Sequence, residues 1–214
     1  MAELWSGRDF VNWISAVSAA LTAAKAELNA LDSALGDGDH GEALSAAFAD
    51  AAQKAAAITD PMPSTVLQAT AQSLFNRMGG ASGALYGTLF LRMSAVLKTR
   101  DDIALADWRE ALTAGLAGVQ SRGGAAPGDK TMVDALAPAV AALGSAPTLT
   151  EGFAAAAAVA QAGAEATPGM VAKFGRAKFA GERAVGHVDA GARSVAILFI
   201  VLADFWKEQN HGEN

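Results

Sequence analysis

The sequence predicts an all-α fold, with eight helices running up and down in an antiparallel bundle. Three observations predict it. Alanine supplies about a quarter of the 214 residues, and it is the best helix former because it has no side-chain entropy to lose. Valine and isoleucine, which favour strands, are comparatively few. Clusters of Gly, Pro and Asp punctuate long stretches of helical periodicity.

The first helix is expected from about Ser6 to Ala30, where Phe10, Trp13, Ile14, Val17, Leu21 and Leu28 recur at helical spacing. The polar, glycine-rich stretch LDSALGDGDHG ends it. A second helix runs from about Gly41 to Ala57 and stops at ITDPMPS, where two prolines cannot continue it and Ser64 can cap the next. The third helix reaches about Met78, and MGGASG breaks the chain. The fourth runs from about Ser82 to Leu97 and the fifth from Leu105 to Ser121. RGGAAPGDKT follows, then the sixth helix from Met132 to Leu143. GSAPTLT leads to the seventh, Glu151 to Ala166. A long irregular stretch, TPGMVAKFGRAKFAGERAVGHVDAG, precedes the eighth, Ala192 to Glu208, and the tail QNHGEN beyond it, with His211, is expected to be disordered and uninformative. With short turns, the breaks after helices one, three, five and seven fall at the same end. Those four breaks carry most of the unusual chemistry. No linker or internal repeat divides the chain, so residues 1–214 read as one domain.

Composition excludes several classes. Hydrophobic residues make up 52%, enough for a sizeable core, and the net charge of −6 argues against a nucleic-acid backbone binder. No lysine-rich helix face is present to lie on an anionic membrane. The chain contains no cysteine, hence no disulfide framework, thiolate metal site or cysteine nucleophile. MAELWSGRDF lacks the layout of a secretory signal, and the longest apolar run, Val195 to Ala203, is too short to span a bilayer. A cytoplasmic protein is expected. Trp5, Trp13, Trp108 and Trp206 read as core or partner-facing residues.

Asp32, Asp37 and Asp39 lie within eight residues, interleaved with Gly36, Gly38 and Gly41 and followed by His40. Three carboxylates so close repel one another unless a cation sits among them, and a hard ion such as Mg²⁺ takes oxygen ligands. The bland reading is a capped turn with solvated aspartates. A calcium EF-hand does not fit, because the twelfth position from Asp37 is Phe48. GGASG opens a helix where a phosphate could approach backbone N–H groups, with Ser82 as cap or donor. GDKT has the wrong spacing for a Walker A loop, and Lys130 reads as an ordinary solvated charge. The fourth break holds Arg176, Glu182, Arg183, His187, Asp189 and Arg193. An arginine there could clamp phosphate, or the set could be a surface ion-pair network. Carboxylates bind phosphate only through a metal, so carboxylates, glycine turns and basic residues at one end suit a Mg–nucleotide site for phosphoryl transfer.

Four segments carry a resemblance: LDSALGDGDHG (31–41), GGASGALYGT (79–88), SRGGAAPGDKTMVDAL (121–136) and GRAKFAGERAVGHVDAGARS (175–194). Together, and in order, they resemble the nucleotide-binding L-subunit of dihydroxyacetone kinases, also the C-terminal domain of the single-chain kinases. The resemblance implies an eight-helix antiparallel barrel with the nucleotide at one end. It implies that Asp32, Asp37 and Asp39 bind two Mg²⁺ ions, and that His40 and Gly41, with Ala81 and Ser82, lie at the phosphates of ADP or ATP. Gly123 and Met132 resemble positions lining the nucleotide, and Arg176, Asp189 and Gly191 the closing part of that pocket. The family's usual Asn after the first motif is Ala43 here, which removes a polar side chain near the phosphates. Its usual DPG is DAG at Asp189–Gly191, which loosens the turn.

The implied activity is phosphoryl transfer to a small ketose held on a separate K-subunit, without which this chain should phosphorylate nothing. A free-standing L-subunit favours ADP as a bound coenzyme, rephosphorylated by a phosphotransferase-system protein. The alternatives are an ATP-exchanging subunit of a two-component ketose or tetrulose kinase, and a non-catalytic adaptor binding nucleotide or an apolar ligand around Phe90, Met93, Val96 and Phe199. A homodimer is left open.

Overall fold

The computed structural model describes residues 3–211. Its α-helices are α1 (Gly7–Ala23), α2 (Lys25–Ser33), α3 (His40–Ala56), α4 (Pro63–Arg77), α5 (Gly80–Val96), α6 (Leu105–Gly123), α7 (Val133–Ser145), α8 (Leu149–Ala166) and α9 (Ala190–His211). Two-residue strands β1 (Trp5–Ser6) and β2 (Asp102–Ile103) pair antiparallel, Trp5 opposite Ile103. The fold is all-α otherwise. Among the described residues no helix is long and apolar enough to cross a membrane.

Helices α1 and α2 are the expected first helix with a bend. The hydrogen-bond ladder passes through Ala24, whose N–H reaches Ala20 O at 2.9 Å and whose carbonyl accepts from Leu28 at 2.9 Å. Ala24 itself sits at φ −85°, ψ 0°. Eight predicted helices thus become nine among the described residues, by one bend. The irregular stretch before α9 contains 3₁₀ turns at Thr167–Gly169 and Arg176–Ala184, the latter kinked at Gly181. The last helix continues to His211, past the expected end at Glu208, while the tail residues 212–214 lie outside the described residues.

Side chains at the helix starts take up N–H groups that have no partner within the helix. Asp9 accepts from Ser6 N–H at 2.8 Å ahead of α1, and Thr148 accepts from Glu151 N–H at 3.2 Å in α8. Helix α4 begins at Pro63, one residue before the expected cap Ser64, because proline's fixed φ suits the first helical position. Met62 N–H and Thr65 Oγ1 close that turn at 3.1 Å.

The chain groups into two compact units, residues up to 19 with 43–123, and residues 20–42 with 124 onward. In the first, α5 packs against both α4 and α6. Its aromatic core joins Trp5, Phe10, Trp13 and Trp108, with Phe10 stacked on Trp108 at 5.0 Å and Trp5 edge-on to Trp108 at 5.2 Å. Each such ring pair adds about 0.5–1.5 kcal/mol beyond its burial. Phe90 continues the cluster toward Phe48. Asp50 on α3 accepts from Lys54, Ser73 and Arg77, joining α3 to α4. These donors hold its carboxyl well below the usual carboxylate range.

In the second unit, α7, α8 and α9 pack on one another and α2 packs on α9. Ala156, Ala160 and Ala164 form a buried stripe on α8, repeating at the spacing of one helix face. Trp206 meets Phe153 edge-on and donates to Thr150 Oγ1 at 3.0 Å. The Arg193 guanidinium reaches Glu27 on α2 at 2.6 Å and Gln161 on α8 at 2.7 Å. It is therefore a strut of this unit.

Candidate functional site

The loop between α2 and α3 builds the carboxylate cluster. Asp32 Oδ2 accepts the N–H groups of Gly38 at 2.8 Å and Asp39 at 3.1 Å, which curls the loop around its own first aspartate. Gly38 has φ +81°, in the left-handed region, and a Cβ there would lie 2.3 Å from Ser33 Oγ. The curl brings one oxygen each of Asp32, Asp37 and Asp39 within 4.8 Å of one another. Asp37 and Asp39 are exposed and Asp32 is half-buried. Three anionic oxygens so placed, open on the solvent side, are the donor set of a hard divalent cation. Arg176 ion-pairs with Asp37 and neutralises part of the cluster.

Helix α3 starts at the next residue. Gly41 lies so close to α2 that a Cβ would sit 2.2 Å from Lys25 O. Glu42 N–H donates to Asn29 Oδ1 at 3.0 Å, which fixes the same approach. His40 is buried, with its Nε2 2.9 Å from Ser194 Oγ, and that hydroxyl donates to Gly191 O at 3.0 Å. Burial lowers the His40 pKa, opposed by the Asp32 carboxylate, and so favours the neutral ring. Its imidazole is directed to α9, so what His40 offers at the start of α3 is backbone.

The start of α9 lies against the start of α7. A Cβ on Gly191 would be 3.4 Å from Met132 Cβ and 3.0 Å from Asp189 Oδ2. Asp189 caps α9 by accepting from Ala192 N–H at 2.8 Å, and its own N–H donates to Thr167 Oγ1 at 2.9 Å. Burial pushes the Asp189 carboxyl up to about 6, and the nearby Asp134 adds to the rise. The DAG turn keeps its aspartate cap without a proline.

Nine expected site residues thus fall in the second unit and join through contacts within it: Asp32, Asp37, Asp39, His40, Gly41, Met132, Arg176, Asp189 and Gly191. Ala81, Ser82 and Gly123 belong to the first unit. Ala81 and Ser82 form the first turn of α5, after Gly79 in extended backbone and Gly80 at φ +64°. Nothing lies within 4 Å of a Cβ placed at Gly79 or Gly80, so the approach to that helix start is open. Gly123 ends α6 beside Leu85 of α5.

Two groups escaped the sequence reading. Asp134 accepts from Gly128 N–H at 2.5 Å and Thr131 N–H at 2.7 Å and so shapes the Gly124–Thr131 loop. The spacing Thr131-x-x-Asp134 is a capping-box signal that could have found it. Lys130, expected to be solvated, is 1% exposed.

Residues 34–204 match the DAK2 domain. The Escherichia coli (strain K12) protein named PEP-dependent dihydroxyacetone kinase, ADP-binding subunit DhaL, is 36% identical over 95% of this chain and 99% of its own length. The L-erythrulose 1-kinase of Mycolicibacterium smegmatis is 39% identical over 84% of this chain, which spans 32% of that protein. The crystal structure of the dihydroxyacetone kinase from C. freundii in complex with AMP-PNP and Mg²⁺ superposes with a TM-score of 0.75 at 32% identity, covering 95% of this chain and 35% of that one. A match over most of the chain and a relative covered along 99% of its length agree with the loop order and the helical architecture: this chain belongs to the DAK2 domain family.

Proposed function

We propose that this chain is the ADP- or ATP–Mg-binding subunit of a dihydroxyacetone kinase and works as a single functional domain over residues 1–214. The observation that carries the reading is the convergence of Asp32, Asp37 and Asp39 within 4.8 Å, in a loop that opens directly into α3. Their oxygens would hold Mg²⁺, two ions in the fullest form of the reading. Bound there, magnesium would neutralise phosphate oxygens and stabilise charge in phosphoryl transfer.

The residues of the chain supply position. In the second unit, His40 and Gly41 would present the α3 start to phosphate oxygens, since helix N-termini offer unpaired N–H groups. In the first unit, Ala81 and Ser82 would offer the α5 start to an anion in the same way. Within the second unit, Met132, Arg176, Asp189 and Gly191 would line and close the nucleotide pocket. Arg176 would pass from Asp37 to a phosphate. Catalysis by such a chain is orientation and charge neutralisation, with no covalent step on the protein.

The substrate, a small ketose, would sit on a separate K-subunit, and a phosphotransferase-system protein would restore the nucleotide in the cytoplasm. The E. coli relative, described as PEP-dependent and ADP-binding, supports this arrangement. The name of the M. smegmatis relative, L-erythrulose 1-kinase, supports a second reading in which the ketose is a tetrulose. The apolar-carrier alternative gains nothing from Phe90 and Met93, which are each 1% exposed.

The test is reconstitution. One sample of the purified chain is denatured and its released nucleotide and metal are quantified; on another, turnover of dihydroxyacetone and erythrulose is measured with and without a K-subunit, with either ATP or a phosphotransferase-system phosphodonor as the phosphoryl source. Bound ADP and magnesium, with turnover only when the K-subunit is added, is the expected result. Turnover by the isolated chain, or none with either ketose when K-subunit and both phosphoryl sources are supplied, would overturn it.

A further inference from the structure

The structure assigns Lys130 as a positioning residue: its buried ammonium ties Thr167 to His187 and thereby holds the Asp189–Gly191 turn and the start of α9 in place. Its consequence for nucleotide binding rests on the function proposed above, whereas the tie itself is a property of this chain alone.

Lys130 sits at φ +60°, and among the described residues every other positive φ belongs to a glycine. Glycine would adopt that backbone without steric cost, so a lysine there points to a need for its side chain. The side chain is buried and its Nζ donates to Thr167 O at 2.7 Å and His187 O at 2.5 Å. These two carbonyls are twenty residues apart in sequence and flank the irregular segment that carries Arg176. Gly186 N–H donates to Pro168 O at 2.8 Å and draws the same two ends together. Thr167 Oγ1 then accepts from Asp189 N–H at 2.9 Å. One ammonium therefore anchors both ends of the segment, and Thr167 passes the constraint to the cap of α9.

The charge is accommodated locally. Burial opposes ionisation of Lys130, and the carboxylates of Asp189 and Asp134 favour it. Asp134 also fixes the backbone on both sides of the lysine, through Gly128 and Thr131 N–H. An ammonium, with several donors at one atom, suits two carbonyls arriving from different directions. An apolar side chain of equal length would leave both without this partner.

The test compares Lys130→Met, which keeps the stem and removes the donors, with Lys130→Gly, which also relieves the backbone. Lys178→Met, in an exposed lysine of the same segment, is the control. Amide hydrogen exchange of the ligand-free chain should quicken at Gly186, Asp189 and Ala192 in both Lys130 variants and stay unchanged in α4 to α6. Mg–ADP should bind about 10- to 100-fold more weakly, the usual effect of removing a supporting group. With a K-subunit and a phosphoryl donor, kcat at saturating nucleotide should be largely retained. If Lys130→Met fails to fold, Lys130→Gly decides. Unchanged exchange at those three amides in the folded variant would overturn the assignment. Wild-type chain that binds no nucleotide would instead defeat the proposed function, and the exchange data alone would then decide the role of Lys130.

Discussion

Gly41→Ala is the sharpest test of how the carboxylate loop is held. The new Cβ would lie 2.2 Å from Lys25 O and 2.8 Å from Asn29 Oδ1. Ordinary contact begins near 3.4 Å, so α2 and the start of α3 must part by about 1.2 Å. A carbonyl in a helix cannot swing aside as a flexible side chain can, and overpacking of this kind costs about 1–3 kcal/mol. With a urea dependence of about 3 kcal/mol/M, the unfolding midpoint should fall by about 0.3–1 M. The same displacement moves Asp39 and His40 relative to Asp32, and a shift of about 1 Å at a binding site costs up to about 100-fold. Gly144→Ala is the matched control: it lies in α7 with nothing within 4 Å of its Cβ, so alanine there should stabilise by about 0.5–1 kcal/mol. Urea titration and Mg–ADP calorimetry on both variants give the two readouts. Gly41→Ala behaving like Gly144→Ala would refute the close approach.

Three further outcomes are expected. Arg176→Ala frees Asp37, so Mg²⁺ alone should bind more tightly, by no more than about five-fold because both partners are exposed, while Mg–ADP binds more weakly; tighter binding of both by calorimetry would remove Arg176 from the pocket. Asp189 has its folded pKa raised to about 6 from 3.8, so its contribution is fully present below 3.8 and is lost as pH rises through 6. Asp189→Asn keeps a good helix cap, and its Tm relative to wild type should therefore improve from pH about 4 to about 7; a pH-independent difference would contradict this. Asp50 has the opposite sign: its folded pKa is depressed, so it stabilises above 3.8 and that stability is lost as pH falls further. The deficit of Asp50→Asn in urea midpoint should shrink below pH about 3, and a constant deficit would mean the Lys54, Ser73 and Arg77 contacts act independently of charge.

The helices were legible because alanine content, apolar spacing and glycine breaks all point one way. The bend at Ala24 was not, since alanine suits an unbroken helix and the sequence carries no signal there. The 3₁₀ turns around Arg176 were hidden for a related reason: Gly175, Gly181 and Gly186 mark breaks but do not say what lies between them. Asp32, Asp37 and Asp39 were legible as a cluster because they are close in sequence. The partners of His40 and Lys130 were not, because Ser194, Thr167 and His187 are brought to them only by packing within the second unit. A single lysine after Gly-Asp looks solvated in one dimension, and its positive φ and burial exist only in three.

The central claim is that the three aspartates bind nucleotide through magnesium. The most direct measurement is calorimetric titration of the nucleotide-stripped chain with ADP, with and without Mg²⁺, repeated on the Asp37→Ala/Asp39→Ala double variant. The account predicts tight binding to wild type only when Mg²⁺ is present, and none to the variant under either condition. Equal binding of ADP with and without Mg²⁺, or binding by the variant that matches wild type, would contradict it.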